Sequence, residues 1–248
     1  MPTLSAVTLP DHLDQEKLSG SIAVVIDVLR ATTTIARALE HNARCVLPVA
    51  SIDSARMIAH ERENALLCGE RSGIKPEGFS LGNSPAEYTQ EAVGGRDLVL
   101  TTTNGTRALH MCDAAYEVLT GSLTNLDALA DELGTREQNI VLVCSGTDRK
   151  VSLEDAIAAG LIAEALHTTH TLDDSAALLR DAAHGAVHRH GSLQQAIASS
   201  YHAGRLNDLG FDADVRFASQ RSCCPIVPRF DPATGEIRAI EQPQKTLG

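Results

Sequence analysis

Tryptophan is absent from the 248 residues, and aromatic side chains make up only 3% of them. A core without large rings must be filled by Ala, Val, Leu and Ile, and a chain this long with 43% hydrophobic residues can bury one. Long apolar runs are lacking too: no stretch approaches the roughly 18 to 20 residues that a membrane-spanning helix needs, which excludes a bilayer span of that kind. Nor is there a basic excess. The formal net charge of -11 argues against a nucleic-acid-binding surface, where Lys and Arg must cluster. It leaves room for a small anionic ligand, because a few arginines and a bound cation can reverse the field inside a cleft. The six cysteines, at 45, 68, 112, 144, 223 and 224, show no Cys-x-x-Cys spacing, so a zinc cluster is not expected. Several sit at or near apolar strands, where thiols act as small core residues. The N-terminus, Met1-Pro2-Thr3-Leu4, has no basic region followed by an apolar core. A reduced, cytoplasmic setting is therefore expected.

No Gly/Ser linker, low-complexity tract or exact repeat divides the chain. The expectation is one domain over residues 1–241 and a short, poorly ordered tail over 242–248. A homodimer is compatible with this composition.

The elements alternate, which is the signature of a layered α/β fold. Strand candidates are Ala23–Asp27, Arg44–Pro48, Leu66–Cys68, Asp97–Thr101, Glu117–Leu119 and Ile140–Val143, with helical stretches between them such as Thr33–His41 and Ser54–Glu63. Ser84-Pro85-Ala86-Glu87 reads as a capping box with proline at the first helical position. Ser152 and Ser192 read as caps of long Ala-rich helices. Cys223 to Phe230, bounded by prolines, reads as an edge strand. His184 and His188 could share a helical face, but without an accompanying Glu they read as exposed histidines.

The most informative segment is Ile22-Ala23-Val24-Val25-Ile26-Asp27-Val28-Leu29-Arg30-Ala31-Thr32-Thr33-Thr34. A buried strand delivers Asp27 and Arg30 to its carboxyl end, where a helix beginning near Ala31 points backbone N–H groups. An anion belongs at such a helix start. A carboxylate beside that anion is repulsive unless a cation bridges the two, so the pattern suggests a metal, a phosphate and an enzyme. Two later strands also run into polar turns, Thr101 to Arg107 and Cys144 to Asp148. In open α/β sheets ligands bind outside the carboxyl ends of the strands, so three such turns favour one shared crevice. Gly69 to Asn83, with three glycines and no periodicity, reads as a binding loop or lid, and it opens on Glu70-Arg71 at another strand end.

Four carboxylates stand where a ligand could be: Asp27, Glu70, Glu154 and Asp155. Oxygen ligands of this kind suit magnesium, although Glu154 and Asp155 also lie in a first helical turn where they favour the dipole. Arg30, Arg71, Arg107 and Arg149 qualify as anion clamps, since a guanidinium matches phosphate or sulfonate oxygens bidentately. Competing phosphatase patterns fail on the letters. Asp27-Val28-Leu29 lacks the second acid of Asp-x-Asp; Cys144 to Arg149 is one residue short of a cysteine-phosphatase cradle; no Walker loop is present. Metal-activated water is the surviving mechanism.

The blocks Val25 to Thr34, Gly69-Glu70-Arg71, Leu81 to Pro85, Thr102 to Thr106 and Glu154-Asp155, in this order, resemble the 2-phosphosulfolactate phosphatases, named for the second step of coenzyme M biosynthesis. The resemblance runs from about residue 20 to about residue 230. It implies a three-layer α/β/α fold with a mixed, largely parallel sheet and no second domain. It also implies a magnesium-dependent hydrolase that converts 2-phospho-3-sulfolactate, or a related phosphorylated hydroxy acid, to 3-sulfolactate and phosphate.

On that reading Asp27, Glu70 and Asp155 hold magnesium directly or through water, with Glu154 behind them. Arg30 and the first-turn N–H groups of Ala31, Thr32 and Thr33 stabilise the phosphoryl oxygens. Asn104, Gly105 and Thr106 form a second cradle, with Ser145 and Gly146 at the next turn. Arg71 or Arg107 reaches the sulfonate or carboxylate. Asp27 or Glu70 as base or nucleophile stays open. So do two rivals: a non-catalytic phosphate- or sulfonate-binding protein, and a hydrolase using Cys144 as nucleophile.

Overall fold

The computed structural model describes residues 1–240. The expected tail after Glu241 lies outside the described residues. Ten strands form one sheet: β1 Thr3–Val7, β2 Ile22–Ile26, β3 Cys45–Pro48, β4 Ala65–Gly69, β5 Asp97–Thr101, β6 Glu117–Gly121, β7 Ile140–Cys144, β8 Thr171–Leu172, β9 Pro228–Asp231 and β10 Glu236–Ala239. Their order is β4-β5-β3-β10-β9-β6-β2-β7-β1-β8. The helices of the first half are α1 Gln15–Leu18, α2 Ala31–Glu40, α3 Ile52–Glu61, α4 Gln90–Val93, α5 Gly105–His110 and α6 Leu126–Leu133. Those of the second half are α7 Leu153–Leu166, α8 Asp174–His190, α9 Leu193–Ala198, α10 Tyr201–Asp208 and α11 Asp212–Ala218.

The three layers follow from β2. All five of its residues are apolar and buried, as in a strand covered on both faces. Ile22, Val24 and Ile26 pack into a cluster with Ile157 and Ile162 of α7, whereas Ala23 and Val25 pack into another with Ile35 and Leu39 of α2. That alternation is the strand's period of two. Each fully buried Val, Leu or Ile contributes about 1.5–3 kcal/mol of transfer free energy. α7 is apolar on most of its circumference and therefore central. Gly160 lets α8 approach it, since a Cβ there would stand 2.2 Å from the Leu179 carbonyl oxygen.

The sheet is mixed but largely parallel. β6, β2, β7, β1 and β8 pair parallel in one half; β3, β5 and β4 do so in the other. The β9–β10 hairpin joins the halves through antiparallel pairings on both sides. The expected edge strand is thus part of the middle of the sheet, and it is shorter than predicted. Pro228 is tolerated because it is the strand's first residue. Twist of about 20–25° per strand accumulates over the five steps from β5 to β2, which is how oppositely directed halves can present their carboxyl ends to a shared crevice.

Three cap expectations change. Ser152 stands at the N-cap of α7 but makes no capping bond, its hydroxyl pairing with that of Thr147 at 2.7 Å instead. Ser84 starts only the short 3-10 turn Pro85–Glu87; its hydroxyl donates to Asp214 at 2.6 Å, and Glu87 accepts from the Gly82 N–H instead of closing a box. Ser192 does cap its helix, but α9 has 6 residues rather than a long span. β1, β8 and β10 had no sequence signal strong enough to read.

Candidate active site

The carboxyl ends of β2, β4, β5 and β7 meet around a cavity of about 60 Å³, closed on one side by α10. Asp27 and Arg30 reach it from the turn after β2, and Glu70 and Gly73 from the loop after β4. Thr102, Thr103 and Asn104 follow β5, and Thr147 and Asp148 follow β7. His202 and Arg205 project from α10.

Asp27 is buried and accepts the Ala31 N–H through Oδ1 at 3.2 Å. The Thr32 N–H goes to the Asp27 carbonyl. Two of the three donors at the start of α2 expected to hold an external anion, those of Ala31 and Thr32, are therefore spent on Asp27 itself. Thr32 and Thr33 are fully committed as well, with their hydroxyls bonded to the backbone carbonyls of Asp27, Gly121 and Val28. Gly105 is required by close approach, for a Cβ would lie 2.7 Å from Asp27 Oδ2 and 2.6 Å from the Ala31 Cβ. Thr106 closes α5 reciprocally with Thr102 and does not face the cavity.

Glu70 accepts from the Gly73 N–H at 2.7 Å and the Thr103 N–H at 2.7 Å. Two backbone bonds thus fix the loop after β4 against the loop after β5. Asp155 lies behind Asp27, accepting from the Val28 N–H, the Ser145 hydroxyl and the Gly146 N–H. Ser145 and Gly146 consequently serve Asp155 rather than the cavity. Glu154 is buried with Oε2 unpartnered.

These acids perturb one another. Burial, then the charges of Glu70 and Glu154, push the Asp27 carboxyl up to about 7. Burial, with Glu154 and Asp27 beside it, raises Asp155 well above the ordinary carboxylate range. Glu154 is raised by its own burial. Lysine takes no part, and Arg30 and Arg205 are the strong bases lining the cavity.

Arg30 is buried and held from three sides. It donates to Asp214 at 2.6 Å and to the Gly73 carbonyl at 2.9 Å, and it stacks over the Phe211 ring at 4.2 Å. The other predicted arginines lie elsewhere. Arg71 turns back onto the carbonyls of Glu70 and Ala50 and the Thr101 hydroxyl; Arg107 pairs with Asp11; Arg149 is exposed. None of the three lines the cavity. Cys144 is wholly buried, away from the cavity, and burial pushes its thiol well up. A nucleophilic thiolate needs the opposite environment.

A family model described as 2-phosphosulpholactate phosphatase matches residues 7–232. The chain belongs to the 2-phosphosulfolactate phosphatase family. It is similar to a probable 2-phosphosulfolactate phosphatase of Clostridium perfringens strain SM101, 37% identical over 245 residues with 96% of each chain covered. A probable 2-phosphosulfolactate phosphatase of Thermotoga maritima is 41% identical over 210 residues, covering 83% of this chain and 87% of that one. One from Pseudothermotoga lettingae is 39% identical over 227 residues, covering 92% and 95%.

In this member of the phosphosulfolactate phosphatase family, His202 and Arg205 in the cavity and Asp214 beside it were not singled out in the sequence, whereas Asn83 lay in a recognised block. Asp214, partner of Arg30, is 184 positions away in the chain. Asn83 lines the cavity with Oδ1 buried and unpartnered. His202 and Arg205 stand three apart on α10, which places them on one helical face; that spacing is the one clue the letters offered. Burial, with Arg205 and Arg30 nearby, lowers His202 to about 4, so the imidazole is neutral at physiological pH. His184, by contrast, is exposed beside Glu164, as its sequence context suggested.

Proposed function

We propose that this chain is a magnesium-dependent phosphatase that hydrolyses 2-phospho-3-sulfolactate to 3-sulfolactate and phosphate. One observation carries the reading beyond the family match: buried Asp27 and Glu70 share a cavity with Arg30 and Arg205. Acids and guanidiniums in one crevice suit a phosphate ester bridged to carboxylates by a cation.

The residues fit magnesium by donor chemistry. Among the described residues no three His, Cys, Asp or Glu side chains form a ready-made metal-ligating group. Magnesium, however, commonly takes one or two carboxylates and keeps several waters. Asp27 and Glu70 line the cavity, and the burial that chiefly raises Asp27, with the repulsion of Glu70 and Glu154 added to it, is what a divalent cation offsets. Asp155, and Glu154 with its orphaned oxygen, reinforce the negative field from behind.

The ion, when bound, supplies Lewis-acid polarisation of the phosphoryl group and lowers the pKa of bound water. The chain's own residues do the rest. Arg30, locked by Asp214, Gly73 and Phe211, stabilises charge developing on the phosphoryl oxygens without reorganising. Asn104 and Thr103 at the end of β5 fix the ester's position. Whichever of Asp27 and Glu70 does not hold the ion orients the attacking water and takes up its proton.

The test is phosphate release from racemic 2-phospho-3-sulfolactate, phospholactate and phosphoglycolate, with magnesium or chelator. Metal-dependent turnover favouring the sulfonated ester is expected. Release from the other esters alone would retain the phosphatase and discard the sulfolactate assignment.

A further inference from the structure

We propose that α10 carries the specificity subsite: His202 and Arg205 bind one of the two acidic groups, carboxylate and sulfonate, that the substrate holds in addition to its phosphoryl. This rests on the phosphatase reading and adds to it the part of the substrate that no catalytic contact explains. The first argument is where the cavity's donors go. Arg30 is buried and already engaged by Asp214 and the Gly73 carbonyl, beside the acids that flank the phosphoryl position. Arg71 and Arg107, the expected readers of the second anion, point away from the cavity. That leaves Arg205 as the remaining guanidinium lining it.

The second argument is the state of these two side chains. The Arg205 guanidinium, 36% exposed, holds only Asp148, itself 58% exposed, at 2.6 Å. A pair this open to solvent is worth little on its own, so the guanidinium is free to add an anion with its remaining donors. His202 Nδ1 is out of contact with solvent and has no hydrogen-bond partner. The His202 side chain lines the cavity beside Arg205 with this polar atom unsatisfied, which marks the pair as built for more than packing.

The third argument is placement. A Cβ on Gly73 would meet Leu209 Cδ1 at 2.9 Å. The end of α10 is therefore packed against the same loop that bonds Glu70 and Arg30, and the subsite is held at a fixed distance from the catalytic acids. The ligand class that follows is a small phosphate monoester bearing at least one further acid close to the ester carbon. A neutral or extended ester does not satisfy both sets.

The experiment compares wild type, Arg205→Gln, Arg205→Lys and His202→Phe on 2-phospho-3-sulfolactate and on p-nitrophenyl phosphate, which has no second acid. It adds calorimetric titration with 3-sulfolactate and with inorganic phosphate. Arg205→Gln is expected to lower kcat/KM for the sulfonated ester about 100-fold, mostly through KM, and the ratio between the two esters at least about 20-fold. Arg205→Lys should recover part of that ratio. Equal losses on both esters, or none on either, overturn the proposal. If wild type releases phosphate from neither ester, the phosphatase reading fails separately. The subsite is then decided by calorimetry, where Arg205→Gln must weaken sulfolactate more than phosphate, and equal weakening overturns it.

Discussion

Asp27 and Asp97 are both strand-end acids out of reach of solvent, and they are solved in opposite ways. Asp97 opens β5 and receives Arg44 at 2.5 Å, Arg62 at 3.0 Å and the Cys45 thiol. Those guanidiniums, with Arg44 foremost, hold its carboxyl far below the usual range. Asp27 closes β2 among Glu70, Glu154 and Asp155, and burial drives it up. The first is a structural acid with its charge compensated by the chain. The second is left without a cationic partner at this distance, an arrangement that costs stability and fits the proposal that a bound cation supplies the missing charge.

The largest effects are expected from removing each acid in turn. Asp27→Asn should lower turnover on the order of 10³-fold. It should also raise metal-free stability near pH 8, with Tm gaining about 2–4 °C for each kcal/mol recovered. Asp97→Asn should do the reverse: a loss of about 2 kcal/mol from unpaired charge-assisted hydrogen bonds, with kcat of the folded enzyme unchanged. Denaturant melts beside phosphate-release rates separate the two.

Arg30→Lys comes next. A lysine cannot bond Asp214 and the Gly73 carbonyl while stacking on Phe211, so turnover should fall by roughly 10²-fold. Normal turnover in that variant contradicts the role given to Arg30.

The pH dependence of stability sharpens the contrast. Asp27 has a native value near 7, above its unfolded one, so the folded chain binds the extra proton between about pH 4 and 7. Its contribution therefore falls as pH rises through that window, and magnesium should restore stability more at pH 8 than at pH 5. Asp97 has the opposite sign. Its contribution is present above the ordinary carboxylate range and is lost only in acid, as pH drops toward its depressed value. Thermal melts across pH, with magnesium and with chelator, read both. The smallest expected effect is Cys144→Ala, which should leave activity intact at a modest cost in stability, since the thiol is buried away from the cavity.

What could be read from the letters follows the range of the interaction. β2 running into Asp27 and Arg30 was legible because an apolar run that stops at charges is a local pattern. The same holds for Glu70 at the end of β4. The pairing of Arg30 with Asp214 was not legible, as the partner arrives from a helix 184 residues later. Arg71 and Arg107 show the complementary limit: sequence gives a guanidinium near a strand end, but its direction is set by carbonyls and acids that only the fold brings close. The strand read over Cys223 to Phe230, which corresponds to β9, was misplaced to an edge because proline marks a strand's start and an edge with the same letter.

The measurement that tests the central claim most directly is a calorimetric titration of magnesium into wild type and Asp27→Asn near pH 8. Saturable binding to wild type, abolished or severely weakened in the variant, is expected together with loss of wild-type turnover in chelator. Equal binding by both proteins, or full turnover in chelator, would contradict it.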